Sequence, residues 1–260
     1  MIVRFCGSSV VLTAVIVLVL MPASAGAQAG IPRLPDGKPN FSGVWDRPRI
    51  LDVTRNGAGC GSGTLGCKQE GTGQPGELPY TEWGKGKWEG KRVDWTAYCL
   101  PWGYNRSWQT EYPVKIVHTP QDVAILFESN NIFHTVKMDG TPRPQKVESS
   151  WLGKSYGKWE GDTLVIETSG FNGFTYLDTA EHPMSDQLVM TERMRYIDPD
   201  HVSYEVIWND PKTYTRPIKN NRVFARMEKG KDELLEYWCM ENNKDLLDGR
   251  VPAFPGYDQP

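Results

Sequence analysis

Val114-Lys115-Ile116-Val117-His118, Val123-Ala124-Ile125-Leu126-Phe127-Glu128 and Asn131-Ile132-Phe133-His134-Thr135-Val136-Lys137-Met138 follow one another in quick succession. In each, one set of alternate positions is apolar or carries a histidine, and the last run stops at the turn Asp139-Gly140. A period of two is that of a β-strand with one buried face. Downstream the same reading predicts strands at Thr163–Thr168, Leu188–Ile197, His201–Asn209, Arg222–Glu228 and Leu234–Glu241. Turn residues such as Asp198-Pro199-Asp200 and Lys229-Gly230-Lys231-Asp232 separate most of them. Strands at this spacing predict an all-β fold, an antiparallel meander closed into a barrel of about 8–10 strands, because closure removes exposed edges. Helical periodicity is nearly absent, and no internal repeat points to a solenoid or propeller.

Upstream the texture changes. Residues 30–110 are rich in Gly, Pro and Trp, with runs such as Gly57-Ala58-Gly59-Cys60-Gly61-Ser62-Gly63 and Gly71-Thr72-Gly73-Gln74-Pro75-Gly76. Such a stretch cannot hold long elements. It reads as a loop-rich arm packed on the barrel, with one short helix near Glu82–Lys91 and one short strand at Phe41-Ser42-Gly43-Val44-Trp45. The barrel domain then spans 111–245, and 246–260 form a C-terminal tail. Residues 1–29 read as a signal peptide: Arg4, an apolar run from Val10 to Met21, and two A-x-A sites, Ala23-Ser24-Ala25 and Ala27-Gln28-Ala29. Cleavage is expected after Ala29. The apolar run is shorter than the ~20 residues of a bilayer span. The expected location is therefore periplasmic or secreted, with no membrane span in the mature chain.

Net charge is −3 with both signs mixed along the chain, which argues against a nucleic-acid partner. Without Cys6, four cysteines remain: Cys60, Cys67, Cys99 and Cys239. An even count in an exported chain favours disulfides, and four cysteines allow three pairings. The favoured one is Cys60–Cys67 as a local staple and Cys99–Cys239 as a long-range tie. No C-x-x-C knuckle supports a metal site, and no cofactor is implied.

The Gly43-x-Trp45 motif followed by meander strands resembles the calycin superfamily of lipocalin-like barrels, in which the tryptophan on the first strand closes one barrel end. A closer resemblance, covering most of the mature chain, is to a large group of exported bacterial proteins of unassigned function. It rests on Pro35-Asp36-Gly37-Lys38-Pro39, Cys99-Leu100-Pro101, Trp151-Leu152-Gly153, Trp159-Glu160-Gly161-Asp162-Thr163-Leu164-Val165, Gly170-Phe171-Asn172, Glu192-Arg193 and Asp210-Pro211-x-x-Tyr214-Thr215-Arg216-Pro217. Where that group has His-Pro-His-Ser, this chain reads His182-Pro183-Met184-Ser185, so no role can rest on the second histidine.

Polar residues on the apolar face of a strand are the candidates for chemistry. One face of Leu188–Ile197 reads Leu188, Met190, Glu192, Met194 and Tyr196. A carboxylate there must be paired, hydrogen-bonded or neutral, and its pKa tends to rise. His118 falls with Val114 and Ile116, and His134 with Ile132, Val136 and Met138. Arg216 is a candidate anion-binding group at a barrel mouth. Asp178 ends an aromatic loop, 170–178, with His182 soon after; the loop reads either as a lid over the barrel mouth or as a plug of the barrel end. Trp159-Glu160-Gly161-Asp162 reads as a turn rather than a site. No G-x-S-x-G, H-E-x-x-H, P-loop or G-x-G-x-x-G is present. The leading expectation is a binder of a small, mostly apolar or aromatic molecule in the barrel interior, with Glu192, His134 and His118 as polar contacts. The alternative is an isomerase, cyclase or lyase using a Glu/His proton-transfer pair in the same cavity, and a third is a structural protein whose barrel is simply filled.

Overall fold

The computed structural model describes residues 30–47, 52–54, 78–110, 112–241 and 243–252. The expected signal segment, its expected cleavage after Ala29 and the expected Cys60–Cys67 pairing lie outside the described residues. Nine strands form one closed barrel: β1 (Gly43–Asp46), β2 (Val114–His118), β3 (Asp122–Phe127), β4 (Phe133–Lys137), β5 (Lys154–Glu160), β6 (Thr163–Ser169), β7 (Val189–Asp198), β8 (His201–Asn209) and β9 (Ile218–Arg226). Each strand pairs with its sequence neighbour, and β1 closes the ring on β9 through Trp45↔Arg226 and Asp46↔Ala225.

An odd number of strands cannot alternate direction all the way round a ring, so at least one pair must be parallel. That pair is β4–β5, held only by the register Val136↔Ser155 and Lys137↔Tyr156. Parallel neighbours need a long connection, which residues 138–153 supply. The expected meander is therefore antiparallel everywhere except at this one short seam.

Three sequence expectations are corrected. Leu234–Glu241 forms no strand: β1 already occupies the edge of β9, so no ladder is left for it to join. It runs outside the barrel with Leu235, Trp238 and Met240 exposed, anchored by Leu235 N–H on Glu128 Oε2 at 2.8 Å and by the Cys99–Cys239 disulfide. The last strand covers Ile218–Arg226 instead of Arg222–Glu228. β5 was hidden because its buried positions are Ser155 and Gly157, not large apolar residues. A Cβ on Gly157 would lie 2.2 Å from Met138 Sδ and 3.0 Å from Val136 Cγ1, so the crossover packs closely on this strand.

One barrel end is closed as the Gly-x-Trp resemblance implies. Trp45, fully buried, donates its indole N–H to Phe41 O at 2.9 Å. Phe41 stacks on Tyr196 at 5.0 Å, with His118 and Trp159 beside it. Gly43 sits at φ +146°, where a Cβ would be 2.4 Å from the Arg226 guanidinium.

The other end is closed from within by the arm. Helix α1 (Glu82–Glu89) lies where a short helix is expected. A second helix, α2 (Tyr104–Gln109), was masked by the Gly/Pro-rich texture; all six of its residues are buried. It enters at Gly103, φ +81°, whose Cα comes so near Thr175 that a Cβ would meet it at 2.5 Å. The last carbonyls of a helix lack intrahelical donors. Here Arg47 donates to Ser107 O at 2.8 Å and Arg222 to Trp108 O at 3.1 Å. Trp108 then packs on Phe127, Tyr204 and Phe224 with ring centroids 5.0–5.5 Å apart. The barrel is thus filled by a segment of its own chain.

Removing that filler should be costly. Trp108→Ala is expected to lower the unfolding free energy by about 3–5 kcal/mol through lost burial and a residual cavity. Trp238→Ala, at an exposed aromatic, should stay within about 0.5 kcal/mol of the parent. Urea denaturation followed by far-ultraviolet circular dichroism compares the two.

Candidate functional site

The structure divides the candidate residues into groups. Glu192 and His134 point into the middle of the barrel. Glu192 is fully buried and accepts from Tyr204 Oη at 2.8 Å and from Tyr104 Oη at 2.9 Å. Burial pushes its carboxyl up to about 7, against the two tyrosine hydrogen bonds and the charge of Arg222, which favour ionisation. The same burial and the nearby carboxylate raise both tyrosines well above their usual range. Tyr104 also lies on the His134 ring, centroids 4.2 Å apart. His134 shares a 2.5 Å hydrogen bond with Ser155 Oγ, which in turn lies 2.6 Å from Thr168 Oγ1. Burial lowers His134 to about 4, so its imidazole is neutral at physiological pH.

These two residues therefore share an interior, with Tyr104 between them. Both oxygens of Glu192 are taken up by these tyrosine hydroxyls, and the residue is fully buried. Sequence reasoning missed Tyr104, Tyr204, Arg47 and Arg222, the groups that satisfy this interior. Tyr204 and Arg222 were legible in principle, since they occupy the buried phase of β8 and β9.

His118 and Tyr196 belong to the end closed by Phe41. Phe41 N–H donates to His118 Nδ1 at 3.4 Å, and the imidazole stacks on Trp159 at 5.7 Å. Burial lowers His118 to about 4, an effect the charge of Asp36 partly offsets. Tyr196 donates to Asn40 O at 2.7 Å and accepts from Arg226 at 2.9 Å. Both serve closure of that end, and their contacts do not reach Glu192 or His134. Arg216 is exposed on the β8–β9 loop. Asp178 and His182 meet each other at the helix-filled end, 2.6 Å apart and both fully buried.

Space for a small molecule lies along the β4–β5 seam. Because only two residue pairs join these strands, they splay beyond Val136 and Ser155, and a cleft of about 650 Å³ opens there. Phe133, Trp151, Leu152, Tyr156 and Pro101 give it apolar and aromatic walls; Lys137 and Lys154 line it as well. His134 and Ser155 line it too, so the interior hydrogen-bond chain surfaces at this one seam. The volume falls within the ~300–1,000 Å³ of small-molecule sites.

Compared with known proteins, the chain matches no family model, no curated protein and no solved structure. The closed nine-strand barrel agrees with the calycin-like fold that the Gly-x-Trp motif implies. Among the described residues, no helix is long and apolar enough to cross a membrane.

The raised Glu192 sets a pH dependence whose sign is fixed. Between its ordinary value of 4.5 and the folded value of about 7, the folded state holds a proton that the unfolded state has released. Stability from this group therefore falls as pH rises through that window. Glu192→Gln removes the fall, so its unfolding free energy relative to the parent should climb by about 3 kcal/mol from pH 4.5 to 7. Parallel urea titrations at several pH values measure the difference.

Proposed function

We propose that this is an exported protein that binds a small, mostly apolar or aromatic molecule in the cleft along the β4–β5 seam, with His134 as its polar contact. One observation carries the reading: the parallel β4–β5 pair opens a cleft of ligand size, aromatic in its walls and ending on a buried histidine. Export is supported by the signal-like residues 1–29 and by the Cys99–Cys239 disulfide, a bond suited to an oxidising compartment. The lysines beside the cleft favour a ligand that carries a negative group next to its apolar body.

The geometry favours binding over proton-transfer catalysis. A general base must reach the proton it abstracts, and Glu192 is sealed behind Tyr104 and Tyr204. His134 alone faces the cleft, and its low pKa makes it a weak base and a good neutral hydrogen-bond partner.

The aromatic anion 8-anilinonaphthalene-1-sulfonate is a suitable probe. It should bind the native chain at one site with enhanced fluorescence. Phe133→Asp, a change at an exposed position, should weaken binding at least about 10-fold, or about 1.4 kcal/mol. Trp238→Asp, at an exposed aromatic elsewhere, should leave it unchanged. Equal binding by parent and Phe133→Asp would remove the cleft from consideration.

A further inference from the structure

The mouth of the barrel holds a second polar group, independent of the seam cleft. Asp52, Asp178 and His182 each present a ligand atom within 4.8 Å of the others. Asp178 is saturated on its inner side: its Oδ2 accepts from Val53 N–H at 2.7 Å and lies 2.6 Å from His182 Nδ1, while Oδ1 accepts from His182 N–H at 3.1 Å. A carboxylate bound to Nδ1 holds that nitrogen as the donor and leaves the Nε2 lone pair facing outward.

That lone pair has no visible use. His182 is fully buried, and its Nε2 has no hydrogen-bond partner. It faces Asp52 Oδ1 at 4.0 Å. Asp52 is only partly buried and its Oδ1 already accepts from Thr54 N–H at 2.8 Å and from Thr54 Oγ1, so His182 Nε2 is the atom left without a partner, and a buried polar atom without one calls for an explanation. The ring is covered by Trp88, stacked at 4.5 Å, with the Arg92 guanidinium on the Trp88 ring at 4.4 Å. Tyr80, stacked on Trp88, carries a buried hydroxyl that also lacks a partner. Burial and then the charge of Asp178 raise its pKa, with Asp52 adding to the effect against Arg92.

We infer that His182 Nε2 and Asp52 bind a divalent first-row transition metal ion such as Zn²⁺ or Co²⁺, with Asp178 orienting the imidazole. An imidazole nitrogen beside carboxylate oxygen suits these ions better than Mg²⁺ or Ca²⁺, which prefer all-oxygen sites. With metal bonds of about 2.0–2.2 Å, a tetrahedral ion holds two ligand atoms about 3.4 Å apart, so His182 Nε2 and Asp52 Oδ1, now 4.0 Å apart, would draw together by about 0.6 Å on binding. Trp88 shields one side. The ion would tie the 52–54 segment to the loop that carries Asp178 and His182.

Titration of the metal-free, oxidised full chain with Co²⁺, read by d–d absorption and equilibrium dialysis, tests this. One ion per chain is expected, with a rise in unfolding temperature. Asp52→Asn and His182→Gln should each weaken binding at least about 100-fold, and Asp178→Asn about 10–100-fold. His201→Ala, at the surface histidine paired with Asp198, should change nothing. The proposal falls if no stoichiometric binding occurs, if a thiolate charge-transfer band places the metal on cysteine, or if the metal moves with His201. Should His182→Gln fail to fold, a folded Asp52→Asn chain that binds Co²⁺ as tightly as the parent overturns it equally.

Discussion

The contact of Glu192 with Tyr104 and Tyr204 is the constraint around which the barrel is organised. A carboxyl group with no exposure must have partners, and one of those partners comes from α2, a segment of the arm, not from the barrel wall. Once Tyr104 is drawn in, the rest of α2 must follow, and its terminal carbonyls must be met inside protein. Arg47 and Arg222 meet them. Burial and mutual repulsion lower Arg47 to about 9, and burial lowers Arg222 to about 10; both remain charged at neutral pH. The interior is therefore a linked polar set wrapped in aromatic rings, in which Arg47 Nε, Gln109 Nε2 and Asn220 Nδ2 are left without a hydrogen-bond partner.

Filling the middle moves any binding to the margins. The parity of nine strands creates one weak parallel seam, and there the interior chain reaches the outside through Ser155 and His134. At the helix-filled mouth, the arm and the β6–β7 loop bring Asp52, Asp178 and His182 together under Trp88. The two places differ in chemistry: one is broad, aromatic and partly open, the other small, polar and covered.

Much of the barrel was legible from strand periodicity. The inward phase of β7, with Glu192 between Met190 and Met194, and the phases carrying His118 and His134 are as the alternation indicated. Alternation failed where its physical premise failed. In β5 the buried residues are small and polar, because the crossover packs against them. In Leu234–Glu241 the pattern exists but no sheet edge remains. The arm hid more: α2 is only six residues long, so helical periodicity could not reveal it, and its stability comes from burial alone. For the same reason the meeting of Glu192 with His134 was foreseen but not the tyrosine between them. The meeting of Asp178 with His182 follows from a loop and was available only as a joint candidacy.

Helix α2 is part of the barrel core and not a movable plug. Native-state hydrogen exchange of the α2 amides, chiefly Ser107 N–H bonded to Gly103 O, together with the Trp208 indole N–H bonded to Asn105 Oδ1, tests it most directly. If the claim holds, these protons exchange only through global unfolding, with the same free energy and denaturant dependence as the β7 and β8 ladder amides. Exchange through a much smaller opening, while the strands stay protected, would show that the helix leaves the barrel by itself and that the interior is an accessible cavity after all.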